Sequence, residues 1–343
     1  MEADRGPDEP ELAGSPAPPP AVELHHVRRS FRGSVALADL SLSVAPATVA
    51  VLLGPNGAGK TTAIRLVTGA LRADAGTVRT LGVDPTGSDG AEVRRRTGVV
   101  TAAPALYDRL TGRDNLRYAA ELYHLGRRAD LESAAARFGI VDSLDQRVGG
   151  YSTGMKTRLS LARAVLHDPE LLLLDEPTSG LDPESARAVL GLIKEMADSG
   201  KTVVMCTHLL AEADGLADQI VMLEAGAALV AGTPEELVAR LWPEPMVAFE
   251  AEDPSSLLTL GAFEGVTGLS AGSGGVRATV RSAEVVPDLV AALVARGVRL
   301  THVSTYRPTL EELYFRVRAD RTGAAPAGEP AVGAPLSLVE ARR

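Results

Sequence analysis

The sequence predicts an α/β fold with a largely parallel sheet, followed by a small α+β domain. Two observations support this prediction. From about residue 22 to residue 241, short apolar strands alternate with helical segments, and the runs TVAVLLG, LLLLDE and TVVMCTH each end in polar residues. From residue 246 to residue 306, the predicted order becomes β-α-β-β-α-β, with the strands MVAFEAE, VTGLSA, GVRATVRS and VRLTHVSTY. That order is typical of a ferredoxin-like domain.

Composition sets the class of protein. The chain has 343 residues, of which 45% are hydrophobic, so it can bury one large and one small core. Its formal net charge of −9 argues against a broad surface for nucleic acid, and we expect no nucleic-acid partner. The single cysteine, Cys206, cannot form an internal disulfide, and its strand-like neighbours predict a buried structural thiol. No stretch approaches the roughly 18 consecutive apolar residues of a membrane-spanning helix, so we expect a soluble chain that reaches a membrane only through a partner.

The two ends of the chain differ in composition from the rest. Residues 1–20 are acidic and proline-rich and contain no apolar segment of a secretory signal, so a disordered lead is predicted. The Ala/Pro/Gly-rich residues 319–343 predict a disordered tail. Between them, we predict one domain at 21–241, a linker at the sequence WPEP, and a small domain at 246–318.

The stretch GPNGAGKT at residues 54–61 matches a phosphate-binding P-loop and predicts a P-loop NTPase. It follows an apolar strand and precedes the helical segment TTAIRLVTG, a context that argues against a chance glycine turn. Glycines let backbone N–H groups surround phosphates, Lys60 reaches the β- and γ-phosphates, and the Thr61 hydroxyl can bind Mg²⁺. The candidate nucleotide-binding residues are Gly54, Pro55, Asn56, Gly57, Ala58, Gly59, Lys60, Thr61 and Thr62.

Polar residues with a possible catalytic role follow two of the other strands. After the strand LLLL, Asp175 is predicted to reach the water shell of Mg²⁺, and Glu176 to act as general base on the attacking water beside the γ-phosphate. The alternative is that both acids cap the next helix. His208 follows the strand TVVMCT, and its imidazole can hydrogen-bond the γ-phosphate and help hold the water. Taken alone, a histidine at this place is a helix-start residue without chemistry.

The stretch GGYSTGMKTRLSLARA predicts an amphipathic helix with Ser152 as its N-cap. A helix N-terminus with free N–H groups and a serine hydroxyl is a natural phosphate site. The P-loop is already a stronger phosphate site in this chain, so the site at Ser152 needs a different phosphate as its ligand.

Further along, Thr233 is predicted to cap a helix that has Pro234 at its first position and Glu236 completing a capping box.

The P-loop, the block YSTGMKTRLSLARAVLHDPELLLLDEPTSGLDP and the strand-end histidine closely resemble the nucleotide-binding subunit of ATP-binding cassette (ABC) transporters, over about residues 22–240. The resemblance implies a homodimer that holds two Mg²⁺-ATP between its chains. Ser152 and Gly154 would then bind the γ-phosphate of the ATP held by the partner chain. Phe31 would stack on adenine, although it is otherwise an ordinary strand-end residue. Asp182 would lie in a loop that communicates between the two sites, and it is also a helix cap for PESARAVL.

The resemblance also implies an integral membrane permease as a partner. Such transporters receive a short helix of the membrane subunit on a helical insertion, which falls here at about residues 104–150. Aromatic residues anchor protein contacts well, but they also form small cores. We expect Tyr118 and Phe138 in the core of the insertion, and for Tyr107 core and contact are equally favoured. The other aromatic residues are Tyr123 in the insertion and Tyr151 directly after it.

The sequence departs from the family pattern in two places. The signature is Tyr-Ser-Thr-Gly-Met where the family usually has Leu-Ser-Gly-Gly-Gln, and the serine and second glycine remain. At the strand-end position of the glutamine that links metal and membrane partner, this chain has Ala102. Alanine has no side-chain donor or acceptor, so water substitutes, Thr101 contributes, or the alignment is shifted by one residue. The sequence therefore does not decide between these three explanations of how the metal site is linked to the membrane partner.

The C-terminal sequence YRPTLEELYFRV resembles the end of ATPases of the drug- and polyketide-exporter, daunorubicin-resistance-like type. Leu310, Leu313 and Tyr314 are also explained by ordinary helix packing. The function predicted is ATP hydrolysis at the cytoplasmic face of the cell membrane, which energises a separately encoded permease for efflux of a drug, antibiotic or other small hydrophobic molecule. The alternatives are a soluble ABC ATPase without a transport role and a nucleotide-dependent regulatory module.

Overall fold

A computed structural model describes residues 18–126, 129–272 and 274–322. Within these ranges, the larger of two sheets is mixed and has nine strands. They are β1 (Val22–Phe31), β2 (Ser34–Val44), β3 (Val49–Leu53), β4 (Ala75–Thr80), β5 (Thr97–Val100), β6 (Leu171–Asp175), β7 (Thr202–Thr207), β8 (Gln219–Glu224) and β9 (Ala227–Gly232). Their order across the sheet is β4-β1-β2-β9-β8-β3-β7-β6-β5.

Some α-helices cover the two faces of this sheet, and others belong to the helical insertion or to the smaller domain that follows in the chain. They are α1 (Lys60–Val67), α2 (Gly90–Arg95), α3 (Gly112–Leu122), α4 (Leu131–Arg137), α5 (Thr153–Val165), α6 (Pro183–Asp198), α7 (Leu210–Ala213), α8 (Pro234–Leu241), α9 (Val286–Ala295) and α10 (Leu310–Thr322). Side chains from α5 and α6 pack on one face, and those of α1 pack on the other. None of the helices in the described ranges is long and apolar enough to span a membrane.

The centre of the sheet is parallel and buried on both sides. Every residue of β3, β6 and β7 is buried, as expected for apolar strands covered by helices on two faces. In the register of these strands, Leu53 lies opposite Thr207, and Asp175 lies opposite Cys206. The carboxyl ends of three strands that are distant in sequence therefore meet at one edge.

Side-chain caps define several helix starts, and three of them involve residues that the sequence predicts as caps. The Ser152 Oγ accepts a hydrogen bond from the Met155 N–H at 3.2 Å and begins α5, as predicted. Thr233 and Glu236 form the predicted capping box of α8. The Asp182 Oδ1 accepts from the Ser185 N–H at 2.9 Å and begins α6.

The second sheet contains β10 (Met246–Ala251), β11 (Val266–Gly272), β12 (Gly275–Val280) and β13 (Leu300–Tyr306) in the antiparallel order β11-β12-β10-β13. This is the ferredoxin-like arrangement that the sequence predicts. The first helix of the unit, Pro254–Ala262, is a 3₁₀-helix that buries Leu257 and Leu260. Three residues per turn place these two leucines on one side, against the sheet.

Helix α10 joins the two sheets. Leu310, Leu313 and Val317, at helical spacings of three and four, are buried in the core of the larger sheet, next to α7 and α8. On the side of the smaller sheet, the Glu312 carboxylate accepts hydrogen bonds from Arg277 of β12 and, at 2.6 Å, from the hydroxyl of Tyr306 in β13. The smaller sheet is thereby attached to the larger one through α10.

The aromatic residues of the helical insertion divide between core and surface. Phe138 is 1% exposed, as predicted. The prediction for Tyr118 is wrong, since its side chain is 48% exposed. The buried face of α3 carries Asn115, Leu116 and Ala119, and Tyr118 lies on the opposite face of that helix.

Candidate active site

The P-loop follows β3 and depends on glycine backbone geometry. Gly57 and Gly59 have φ values of 83° and 104°. A Cβ atom at Gly59 would lie 2.6 Å from Cδ2 of Leu37 and 2.7 Å from the carbonyl oxygen of Ala36, so no side chain fits there. The Lys60 Nζ turns back over the loop and donates to the carbonyl oxygen of Gly54 at 2.6 Å. An ammonium group thus lies inside a turn of the kind that surrounds phosphates.

A hydroxyl and a carboxylate meet beside this lysine. The Thr61 Oγ1 donates to Oδ2 of Asp175 at 2.8 Å. The Asp175 Oδ1 is buried and has no hydrogen-bond partner in the described part of the chain. Burial raises the pKa of Asp175 while the Thr61 hydrogen bond opposes the shift, and the nearby Glu176 carboxylate raises the pKa further. Hydroxyl and carboxylate oxygens are the ligands that Mg²⁺ prefers.

Glu176 has a backbone conformation that is uncommon for a residue with a side chain. Its φ is 52°, in the left-handed region, and its N–H donates to the carbonyl oxygen of Cys206 at 2.9 Å. Its carboxylate has two partners: Oε1 lies 3.3 Å from the Lys60 Nζ, and Oε2 lies 2.7 Å from Nδ1 of His208. Lys60, Glu176 and His208, which follow three different strands, therefore form one cluster, and their roles toward a nucleotide stay predictions.

Cys206 lies in the strand next to this cluster. Its side chain is fully buried, in agreement with the predicted structural thiol. Burial raises the pKa of the thiol well above its ordinary value, and the charge of the Asp175 carboxylate acts in the same direction.

Ser152, Gly154 and Asp182 lie on a separate surface. Ser152 is exposed at the start of α5. A Cβ at Gly154 would lie 3.6 Å from the Ser185 Oγ, and one at Gly180 would lie 3.6 Å from Cγ2 of Thr153. The start of α5 and the loop before α6 are therefore neighbours. No described hydrogen bond joins Ser152 to the P-loop of the same chain.

Phe31 is partly open to solvent. Its side chain is 38% exposed, and the Arg29 guanidinium lies 4.8 Å from the ring centroid. An ion pair of 2.7 Å to Asp74 holds that guanidinium in place. The ring is accessible at the surface, and its contact with adenine remains a prediction.

The loop after β5 is attached to α5. The Thr101 hydroxyl donates to the carbonyl oxygen of Ala103 at 2.7 Å, and Ala102 is exposed. Arg163 of α5 donates to the carbonyl oxygen of Ala105. Sequence reasoning missed this arginine, because its partner is a backbone atom that no motif identifies.

Sequence reasoning also missed Glu212 in α7. Its buried carboxylate accepts hydrogen bonds from the hydroxyls of Thr178 and Thr207, which lie two residues after Glu176 and one residue before His208. An acidic residue in a short apolar segment close to His208 was the available signal.

The chain resembles known proteins over most of its length. It matches the family model described as ABC transporter over residues 37–179. It is 36% identical to the daunorubicin resistance ATP-binding protein DrrA3 of Streptomyces coeruleorubidus, over 88% of this chain and 96% of that protein. It is 35% identical to the Nod factor export ATP-binding protein I of Rhizobium sp. (strain N33), over 70% of this chain and 80% of that protein.

A solved structure described as the ATP binding subunit of an ABC transporter is also similar, with a TM-score of 0.58 and 29% identity, over 64% of this chain and 92% of that one. These similarities confirm the predicted fold class, ATP as the nucleotide and ATP hydrolysis as the activity. The chain therefore belongs to the ABC transporter family, as an ATP-hydrolysing subunit of a transporter.

Proposed function

We propose that this chain acts as a homodimer at the cytoplasmic face of the cell membrane and energises a separately encoded permease. The cargo is a drug, antibiotic or other small hydrophobic molecule that leaves the cell. The single observation that carries this proposal is the similarity to a daunorubicin resistance ATP-binding protein over 88% of this chain and 96% of that protein, a match longer than the P-loop domain alone.

The residues present fit Mg²⁺ as the metal that accompanies ATP. The Asp175 carboxylate, with its unpaired buried Oδ1, and the Thr61 hydroxyl would hold the ion. When bound, Mg²⁺ neutralises charge on the β- and γ-phosphates. Phe31 would contribute an adenine contact through its exposed ring.

The chemistry proposed for the cluster divides between three side chains. Lys60 and the backbone N–H groups of the P-loop bind the phosphates. A water oxygen forms a bond to the γ-phosphorus while the bond from that phosphorus to the bridging oxygen breaks, and Glu176 accepts the proton of the water. His208, 2.7 Å from Glu176 Oε2, orients the carboxylate. The short distances among these groups support the roles.

The separate surface at the start of α5 supports a shared site. Ser152 is exposed and Gly154 is half-buried at the N-terminus of α5, a place where free backbone N–H groups can bind an anion, and no described hydrogen bond joins Ser152 to its own P-loop. In a homodimer they would complete the phosphate site of the partner chain. Asp182, in the adjacent loop, would then lie between the two sites.

An aromatic pair on the insertion is proposed as the contact for the permease. The rings of Tyr107 and Tyr118 pack edge to face with centroids 5.2 Å apart, and their side chains are 49% and 48% exposed. Leu122, one helical turn after Tyr118, is also exposed. An exposed cluster of large apolar side chains is typical of a protein contact.

The Tyr107→Ala substitution is expected to lower transport about tenfold and basal ATP turnover by less than about twofold, because an interface anchor is lost and the phosphate site is not touched. Transport and phosphate release would be measured in the same vesicles. The Leu258→Ala variant, which alters an equally exposed side chain of the ferredoxin-like domain, is the control and keeps both activities. Equal loss of transport and turnover in Tyr107→Ala would indicate a folding role instead.

The proposed function is tested by co-expressing the chain with a neighbouring gene product that has about six apolar spans. We expect the chain to fractionate with membranes only when this partner is present, and the cells to export daunorubicin, used as the test compound, in a Glu176-dependent manner. If the chain stays in the cytosolic fraction with every such partner while its ATP turnover is normal, the result would favour the soluble ATPase without a transport role. Tight ATP binding with no turnover in any condition would favour the regulatory module.

A further inference from the structure

Two turns carry the proposed catalytic residues, and both are anchored to one buried carboxylate. The first turn begins at Glu176, whose carbonyl oxygen accepts from the Ser179 N–H at 3.1 Å. Thr178, inside that turn, is buried and donates its hydroxyl hydrogen bond to Oε1 of Glu212. Pro177 lies between Glu176 and Thr178 and restricts the backbone that joins them. The position of Glu176 thus depends on where Thr178 is held.

The second turn contains His208. The Thr207 Oγ1 accepts from the Leu209 N–H at 3.0 Å and donates to Oε2 of Glu212 at 2.6 Å. The Thr207 hydroxyl therefore closes the turn around His208 through the Leu209 N–H, and it also attaches this turn to Glu212. Thr207 is fully buried, so neither of its hydrogen bonds can be replaced by water without a change in packing.

From these contacts we infer that Glu212 is a positioning residue for ATP hydrolysis, which sets the relative placement of Glu176 and His208. One carboxylate oxygen of Glu212 holds the turn of Glu176 through Thr178, and the other holds the turn of His208 through Thr207. The Oε2 atom of Glu176 and the Nδ1 atom of His208 then lie 2.7 Å apart. Glu212 does not itself contact the cluster of Lys60, Glu176 and His208 through any described hydrogen bond. This inference rests on the proposed roles of Glu176 and His208.

The test compares Thr207→Val with Thr202→Val. Both threonines are buried in β7, but the hydroxyl of Thr202 is at the other end of the strand, where it accepts from the Ala47 N–H at 3.0 Å. We expect Thr207→Val and Glu212→Gln each to lower turnover per bound ATP about tenfold, while the KM for ATP stays within about twofold, since Lys60 is untouched. Thr202→Val is expected to keep turnover per bound ATP, whatever its effect on stability.

A double-mutant cycle with His208→Ala separates positioning from general structural support. If Glu212 acts through the two turns, Glu212→Gln should lower the residual turnover of His208→Ala by a smaller factor than it lowers that of the wild type, because only the turn of Glu176 is still affected. If the double variant loses turnover by the product of the two single-variant factors, the inference is overturned. An equal loss of turnover in Thr202→Val and Thr207→Val would overturn it as well. If Glu176→Gln and His208→Ala retain wild-type turnover, the proposed catalytic roles fail, and this result is distinct from a failure of Glu212 alone.

Discussion

The Glu176→Gln substitution is expected to lower ATP turnover by about a hundredfold or more while ATP binding is kept. An amide has the shape of the carboxylate but cannot accept the proton of the attacking water. The carboxylate also lies 3.3 Å from the Lys60 Nζ, so its neutralisation removes a charge that competes with the phosphates for the ammonium. Retained or tighter binding is therefore part of the expectation.

Phosphate release and equilibrium ATP binding on the purified chain are the two measurements. The matched control is Glu195→Gln, which removes the same charge from an exposed position on α6. Turnover of the Glu176 variant within about twofold of the wild type would reject Glu176 as the general base. Loss of binding together with turnover would instead point to a damaged P-loop.

Mixed dimers provide the second large effect. If one site uses Lys60 of one chain and Ser152 of the other, then homodimers of Lys60→Ala and of Ser152→Arg each lack one component in every site. We expect both to trap almost no ATP, because the phosphates lose their cation in the first variant and meet a large side chain in the second. A mixed dimer contains one doubly defective site and one intact site.

The measurement is ATP trapped per mixed dimer in a Glu176→Gln background, which removes the need for turnover. About one ATP per mixed dimer is expected for shared sites, and a level no higher than that of the separate variants would contradict them. Ser88→Arg is the control for a bulky cation at an exposed serine that belongs neither to the P-loop nor to α5, and it should trap ATP as the parent does.

Much of the fold was predictable because the central strands have no polar interruption. The runs VAVLL and LLLLD are buried along their whole length, and the polar residues that follow them can only lie at the sheet edge. Parallel pairing then brings Lys60, Glu176 and His208 together. The ferredoxin-like domain was predictable from its strand order, although its first helix is a 3₁₀-helix.

Other features were not predictable, because they depend on which face of an element meets another element. Tyr118 is a large aromatic residue of the kind expected in a core, but it lies on the outer face of α3. The links from Glu212 to Thr178 and Thr207 need two hydroxyls that are distant in sequence to converge on one carboxylate. The attachment of α10 to the larger sheet likewise arises from the three-dimensional path of the chain.

The burial of Cys206 makes the single thiol of the chain a reporter of opening in the central sheet. A thiol reagent needs an accessible thiolate, and in the folded state this sulfur is covered and its pKa is raised. Labelling at Cys206 therefore requires β7 to separate from its neighbours, so the labelling rate follows the population of that open state. A nucleotide that binds only the closed state slows labelling by the factor 1 + [L]/Kd, so the affinity of the site can be read from a covalent reaction on the native sequence.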